Sequence, residues 1–405
     1  MTYALEGIRV IDLTQYQLGP HATMMLADMG AEVIKIERPG DGDPGRLLGP
    51  WGPAGTSAFF EANDRNKKSI TVDIKTEKGK EIIYKLVRQA DIFAQNFRPG
   101  TAERLGFGYK DLYRINPGII YLTGSAFGLK GPMSKKPGFD GVGQAMSGIL
   151  STVWTPEDVP ATSMEASISD QTASFLLALG AMVALVHKER TGEGQEVDVS
   201  LLGSTMELAG WTLQSHLTPE GSASNFQVPR ARIGRFGASE AVIVSSHKAR
   251  DGKPILLFLR GRAAQVKCFS ILGLEDFADD SRFETWEPIV ENLDILLTAM
   301  DQRILSRDRD DWLKLLDDGG VIAAPLHTLL EAAAHPQAIA NEYIAEINHP
   351  KEGSMKILGI PIKLHKTPGR LGIAPELGEH TDEILSEIAG YTTEEIAQMK
   401  REEII

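Results

Sequence analysis

The sequence predicts an α/β protein: a Rossmann-like large domain on a mostly parallel sheet, followed by a smaller α+β domain. Three observations carry this. Strand and helix signals alternate through the first 125 residues; a helix-length apolar run followed by an alternating strand ends at Ser200; and a change of composition around residue 205 precedes a second group of strands.

In chain order, Ile8–Leu13 reads as a strand, Pro20–Met29 as a helix and Glu32–Ile36 as a second strand, which is one βαβ unit. The pattern recurs with Ser69–Ile74 (strand), Glu77–Arg88 (helix), Ile92–Gln95 (strand), Lys110–Asn116 (helix) and Ile119–Leu122 (strand). Gln171–Val186 is the apolar helical run, and Glu196–Ser200 alternates as a strand. Trp211–Glu240 carries Ser, Gly, Pro and Arg with little periodicity and reads as a connector. Ala241–Val244 and Pro254–Leu259 read as strands of the smaller domain, which continues to about Gly320; Val321–Ile405 is a mixed segment ending in a helix at Thr393–Arg401. The expected division is a large domain over 1–205, a connector over 206–240, a small domain over 241–320, and a return segment over 321–405 that completes the large domain.

A chain of 405 residues, 42% hydrophobic and 24% charged, buries a large core. A net charge of −13 argues against general affinity for nucleic acid or acidic membranes, which leaves small molecules and other copies of the chain as expected partners. The lone Cys268 and the absence of an apolar leader in Met1–Arg9 favour the cytoplasm. Phe175–Val186, the longest apolar stretch, suits a buried helix rather than a membrane span. Nine scattered histidines with neither H-x-x-x-H nor C-x-x-C give no metal site. Gln15–Pro20 offers only Gly19 after the first strand, so a G-x-G-x-x-G nucleotide loop is missing; Gly141-x-Gly143 with Gly148 lies too deep in the chain to serve as one.

Ligands of such sheets bind at the carboxyl ends of the strands. The loops there are Thr14–Pro20, Glu37–Pro39 and Asn96–Gly100. Asp170 opens the apolar run. A carboxylate at a helix start is expected to be held ionised and aimed by the free N–H groups, and can then act as a nucleophile, although Asp is also a favoured N-cap with no further role.

Leu5-Glu6-Gly7-Ile8-Arg9-Val10-Ile11-Asp12-Leu13-Thr14, Gly19-Pro20, and Leu26 through Pro39 strongly resemble the class III coenzyme A transferases, the family of formyl-CoA and carnitine CoA-transferases. The likeness extends through Asn66–Ile70, Asn96–Gly100 with Arg104 and Leu105-Gly106, Arg190–Gln195, and Ile373-Ala374 leading into Pro375–Thr381. The resemblance implies that Asp170 attacks an acyl-CoA thioester and passes through an aspartyl-CoA thioester, with Gln17 and Leu18 positioning the reactants and contacting oxyanions. It implies CoA contacts by Leu18, Arg38, Val72, Lys75, Asn96, Phe97, Arg98, Arg104 and Phe139. No tightly bound cofactor is expected, coenzyme A and its acyl esters being substrates. The resemblance further implies a ring-shaped chain in an interlocked homodimer; a heteromer with a homologous subunit is the alternative.

The chain departs from the family pattern in two places. Ser174 stands where relatives have glycine four residues after the nucleophile, and the family's glycine-rich loop has no counterpart near Phe258–Arg262, which holds one glycine. The rival reading is an acyl-CoA racemase of the same superfamily. The racemase histidine falls in Pro137-Gly138-Phe139-Asp140, where Phe139 carries no proton, although Asp140 or His380 is a conceivable substitute. A third reading is a non-catalytic subunit of a heteromeric transferase. Arg230, Arg232 and Arg235 are candidates to pair with the second carboxylate of a dicarboxylic acceptor such as succinate, with a solvated loop as the ordinary alternative.

Overall fold

The computed structural model describes residues 3–153, 163–218, 225–228, 231–236 and 240–405. They fall into two compact units, one containing 3–152, 163–209 and 335–405, the other 210–334.

The large unit is built on β1 (Arg9–Leu13), α1 (Leu18–Asp28), β2 (Glu32–Glu37), α2 (Ala58–Asp64), β3 (Lys68–Thr71), α3 (Glu77–Val87), β4 (Ile92–Gln95), α4 (Thr101–Leu105), α5 (Tyr109–Ile115), β5 (Ile120–Ser125), α6 (Asp140–Ser147), α7 (Ile168–Thr191), β6 (Glu196–Ser200) and the first half of α8 (Leu201–Leu217). The six strands are parallel in the order β3-β2-β1-β4-β5-β6, the doubly wound order whose direction of winding reverses between β1 and β4. Val10 pairs with Val33 on one side and with Ile92 on the other. β1, β2, β4 and β5 carry apolar residues on both faces because both are covered, whereas the edge strand β6 alternates. One face packs Leu18, Ala22 and Leu26 of α1 with Ala173, Leu177, Ala181 and Ala184 of α7. The other takes Ile82, Ile83 and Leu86 of α3, with residues of the returning C-terminal segment.

Local chemistry sets the helix ends. Thr76 accepts the N–H of Gly79 at 2.9 Å to start α3. Gly192, left-handed at φ 79°, stops α7. α7 is long and apolar enough to cross a bilayer by length and composition, yet its small-residue stripe is seated on the sheet. The strand expected over Ser69–Ile74 leaves the sheet after Thr71: beyond that edge position Val72 still bonds to Glu37, but the N–H of Asp73 turns to the carbonyl of Ile404 at 2.7 Å.

The small unit begins at Gly210, whose φ of 43° and ψ of −122° break α8 in a conformation suited to glycine. It contains β7 (Asn225–Val228), β8 (Ala231–Phe236), β9 (Glu240–Lys248), β10 (Pro254–Arg260), α9 (Gly261–Leu272), α10 (Trp286–Glu291), α11 (Leu293–Ile304), α12 (Arg309–Asp318), β11 (Ile322–Pro325) and α13 (Leu329–Ala334). The antiparallel order is β11-β10-β9-β8-β7. Part of the stretch read as a connector is therefore sheet. Ala231 and Ile233 point inward with Arg232 outward, a period of two obscured in the sequence by arginine and glycine. β11 likewise joins this sheet, so the small unit reaches Ala334. At Gly261, β10 passes directly into α9, which leaves no loop where the glycine-rich segment was sought.

From His335 the chain adds α14 (Pro336–Ala340), the hairpin β12 (Ile344–His349) with β13 (Gly353–Leu358), α15 (Thr381–Glu387) and α16 (Thr393–Arg401) to the large unit. α16 starts in a reciprocal capping box of Thr392 and Glu395.

Candidate active site

Residues 14–17 turn the chain from β1 into α1 at the carboxyl edge of the sheet, and buried charges hold this turn from beneath. Lys67 meets Asp12 at 2.8 Å and Asp64 at 2.7 Å; Lys35 meets Asp43 at 2.7 Å and Asp64 at 3.2 Å. Lys35 also donates to the carbonyl of Thr14 at 3.1 Å, and Asp43 accepts the N–H of Tyr16 at 3.2 Å. Burial by itself would raise the Asp12 carboxyl, but Lys67 and Lys35 hold it well below the usual range. Across the β1/β4 reversal, Asn96 donates to the carbonyl of Gln15 at 2.7 Å and accepts its N–H at 2.8 Å. Tyr16 then takes a left-handed φ of 64°, an uncommon conformation for a side-chain-bearing residue, and delivers Gln17 and Leu18 to the start of α1. A Cβ on Gly124 would lie 2.5 Å from the Leu18 side chain, so glycine makes room for it.

Asp170 is the third residue of α7. The first turns of α1 and α7 lie side by side, and the Leu18 N–H is near enough to the Asp170 carboxyl to favour the ionised form. Asp140, on α6, caps α7 from outside: its Oδ1 accepts the N–H groups of Ser169 at 2.8 Å and Asp170 at 3.1 Å, while Gln144 donates to Oδ2 at 2.6 Å. Burial first, and the Asp140 charge second, push the Asp170 carboxyl up to about 7, with the Leu18 N–H opposing them. The helix start was expected to keep this group ionised. A helix terminus contributes roughly 0.3–1 kcal/mol, less than the ~1.36 kcal/mol of a single pKa unit, so desolvation outweighs it.

Asp170 opens on a cavity of about 370 Å³ lined also by Gln17, Leu18, Phe97, Arg98, Lys136 and Phe139. A second cavity of about 830 Å³ is lined by Arg38, Val72, Lys75 and Lys400. Gln15, Phe97 and Thr101 line both, so the two adjoin and together follow the carboxyl ends of β1 to β5.

The residues singled out in the sequence are distributed accordingly. Gln17 precedes α1, makes no side-chain cap to it and faces the first cavity. Asn96 lines that cavity, but its amide is engaged by the Gln15 backbone. Arg38 is exposed and paired with Asp41. Arg104 donates to Thr101 at 3.2 Å and lines neither cavity, although Thr101 and Leu105 of the same helix do. The ring of Phe139, 62% exposed, stands edge-on to Tyr16 at 5.8 Å. Arg232 and Arg235 lie on β8 of the small unit, and Arg230 lies outside the described residues. Among the described residues, no group of three or more His, Cys, Asp or Glu is placed to hold a metal ion.

Sequence reasoning missed the work of Asp140, Tyr16 and Lys136. Asp140 joins a helix start 30 residues away, a pairing without local periodicity. The motif G-F-D, a carboxylate following a glycine and an aromatic at a helix start, was its only trace. What the site offers chemically is a carboxyl that ionises near neutrality, the Leu18 N–H near enough to favour its ionised form, and cationic side chains along the adjoining walls.

The chain matches the model of CoA-transferase family III over residues 5–381. Succinyl-CoA–D-citramalate CoA-transferase of Chloroflexus aurantiacus is 33% identical over 99% of this chain and 98% of its own length. Succinyl-CoA:glutarate CoA-transferase of Mus musculus is 34% identical over 96% of this chain and 87% of its own. The crystal structure of a CAIB/BAIF family protein from Brucella suis superimposes with a TM-score of 0.82 at 28% identity, covering 96% of this chain and all of that one. With the doubly wound sheet and an ionisable carboxyl at its carboxyl edge already in place, these full-length matches establish that the chain belongs to CoA-transferase family III and is an enzyme that transfers coenzyme A.

Proposed function

We propose that the enzyme moves CoA from an acyl-CoA thioester to a free carboxylic acid through an aspartyl-CoA thioester on Asp170, with dicarboxylic acids as acceptors. The observation that carries this is the placement of Asp170: a half-buried carboxyl that ionises near 7, beside Leu18 and opening on a cavity that leads to Arg38 and Lys75.

An Asp170 oxygen attacks the donor's carbonyl carbon, the C–S bond breaks, and CoA thiolate leaves a mixed anhydride. The thiolate attacks the aspartyl carbonyl and expels the donor acid as a carboxylate. The acceptor carboxylate then attacks the aspartyl thioester, releasing thiolate and forming a second anhydride. Attack of thiolate on the acceptor's acyl carbon returns the Asp170 carboxylate and yields the new thioester. One thioester replaces another, so the net driving force required is small, and covalent capture divides the transfer into acyl steps. Each step develops an oxyanion, for which the Leu18 N–H and the Gln17 amide are the available donors. The phosphates of CoA are assigned to the second cavity, whose wall mixes Arg38, Lys75 and Lys400 with Glu37, Asp73 and Glu403; Arg38 and Lys75 are their contacts, Arg104 adds charge near the rim, and Val72 and Phe97 are walls. Phe139 and Arg98 flank the reacting end. Asn96 acts one step removed, by holding Gln15.

The relatives' names include citramalate and glutarate, both dicarboxylic, and a second carboxylate needs a cation; Arg98 and Lys136 line the cavity that holds Asp170. Racemisation would require a free acid-base pair, whereas Phe139 has no proton to move and Asp140 is engaged by three donors. Phe175, Leu179, Val183 and Val186, each 45–61% exposed, form an apolar stripe along α7, which supports a homodimer over a monomer.

The test is CoA exchange by the purified chain, offering succinyl-CoA with glutarate, citramalate or acetate. Transfer to the dicarboxylic acids, poor transfer to acetate, and its loss in Asp170→Asn support the proposal. Undiminished exchange by the Asn variant refutes it.

A further inference from the structure

We infer that Ser174, a residue with no part in the bond-making steps, sets the separation between Leu18 and Asp170 by tying the first turn of α1 to the first turn of α7. Its Oγ lies 2.8 Å from the carbonyl oxygen of Leu18 and 2.7 Å from that of Asp170, and the side chain is fully buried. A serine inside a helix commonly bonds the carbonyl four residues back, which accounts for the Asp170 contact. The Leu18 contact is different: it spans 156 residues of sequence and joins two helices. Leu18 is thus held at its C=O by the hydroxyl four residues beyond Asp170 on α7, while its N–H lies near enough to the Asp170 carboxyl to favour the ionised form. A hydroxyl has one proton, so it is shared between the two carbonyls or donated to one while the other packs against it.

This matters because the Leu18 N–H is the backbone donor that favours the ionised Asp170 carboxyl, and stabilisation of a developing charge depends on fixed donors. With glycine or alanine here the helices would still pack, but the start of α1 would lose its bond to the nucleophile's helix. Ser174 is uncharged, so it influences ionisation only through that geometry. The charged and titratable groups around Asp170 are Asp140 from α6, Tyr16, Arg98 and Lys136 along the cavity, and His21 of α1, whose ring meets Phe175 of α7; none of them hydrogen-bonds the Ser174 hydroxyl.

The inference rests on Asp170 being the nucleophile. The experiment compares wild type, Ser174→Ala, Ser174→Gly and Asp170→Asn, measuring kcat, KM for succinyl-CoA, the pH midpoint of kcat/KM, and the folded fraction by circular dichroism. Ser174→Ala removes a single buried atom and is expected to fold. The result expected for both serine variants is a kcat roughly 10- to 100-fold lower with KM little changed, as for small misplacements of reacting groups. The pH midpoint should move up by about one unit, because the Leu18 N–H that favours the ionised carboxyl is displaced from it. An unmoved midpoint in both serine variants, or a loss of rate that only tracks the unfolded fraction at every pH, overturns the role of Ser174. If the Asp170→Asn protein is inactive in that case, only the positioning role falls. If Asp170→Asn exchanges CoA normally, the nucleophile assignment and the positioning role fall together.

Discussion

Replacing Asp170 by Asn removes a charge that the fold disfavours, and the effect on stability follows from the site. The carboxyl is shifted from 3.8 to about 7, chiefly by burial and then by Asp140. That is about three units, or about 4 kcal/mol at ~1.36 kcal/mol per unit. The folded pKa is raised, so between these values the folded chain keeps a proton that the unfolded chain has released, and wild-type stability falls as pH rises through the window. Above about 7 the whole cost is present. Asn is neutral at every pH and keeps an acceptor oxygen beside the Leu18 N–H. Wild type and variant should therefore differ little near pH 4 and progressively more towards pH 7, with Asn the more stable. Urea unfolding at about pH 5 and about pH 8 should give a gap larger by about 3 kcal/mol at the higher pH. A stability difference independent of pH, or a variant less stable than wild type at about pH 8, would refute the reasoning. The same ionisation sets the rate: kcat/KM for the donor ester should rise as pH climbs through about 7 and fall away below it.

Lys67→Met leaves Asp12 and Asp64 buried without one of their cations, so it should cost roughly 3–5 kcal/mol in urea unfolding, whereas an exposed pair such as Lys400–Asp382 should cost about 1 kcal/mol or less when broken. Arg38→Ala should raise KM for succinyl-CoA roughly tenfold while leaving kcat near wild type, an effect that shrinks with added salt; an unchanged KM would remove Arg38 from the CoA groove. Cys268 is fully buried and its thiol is pushed up to about 12 by burial, so the native enzyme should resist thiol-modifying reagents, with modification appearing only on unfolding.

Much of the large unit was legible because its inner strands are mostly apolar and β6 alternates, separated by helices with capping residues and glycine stops. Ile92–Gln95 and Glu196–Ser200 stand in the structure as the sequence proposed. β8 was not legible: Ala231 and Ile233 provide only two inward positions among arginines and glycine, too few for a period to emerge. At the site, the loops after β1, β2 and β4 could be located from strand ends alone, since the sheet topology directs ligands there. Side-chain duties inside those loops could not. Asn96 carries an amide suited to a ligand, yet the bond it makes is to Gln15, 81 residues away. The ionisation of Asp170 was misjudged because the helix start is visible in sequence, whereas burial and the approach of Asp140 are properties of tertiary packing. Ser174 was noticed as a departure from the family pattern, but its bond to Leu18 emerges only when α1 and α7 meet.

The covalent role of Asp170 is tested most directly by trapping. Enzyme incubated with succinyl-CoA and no acceptor, then treated with borohydride or hydroxylamine, digested and examined by mass spectrometry, should carry the modification on the peptide containing Asp170, and an Asp170→Asn protein should carry none. Modification on another residue, or an unmodified Asp170 peptide from enzyme that is exchanging CoA, would contradict it.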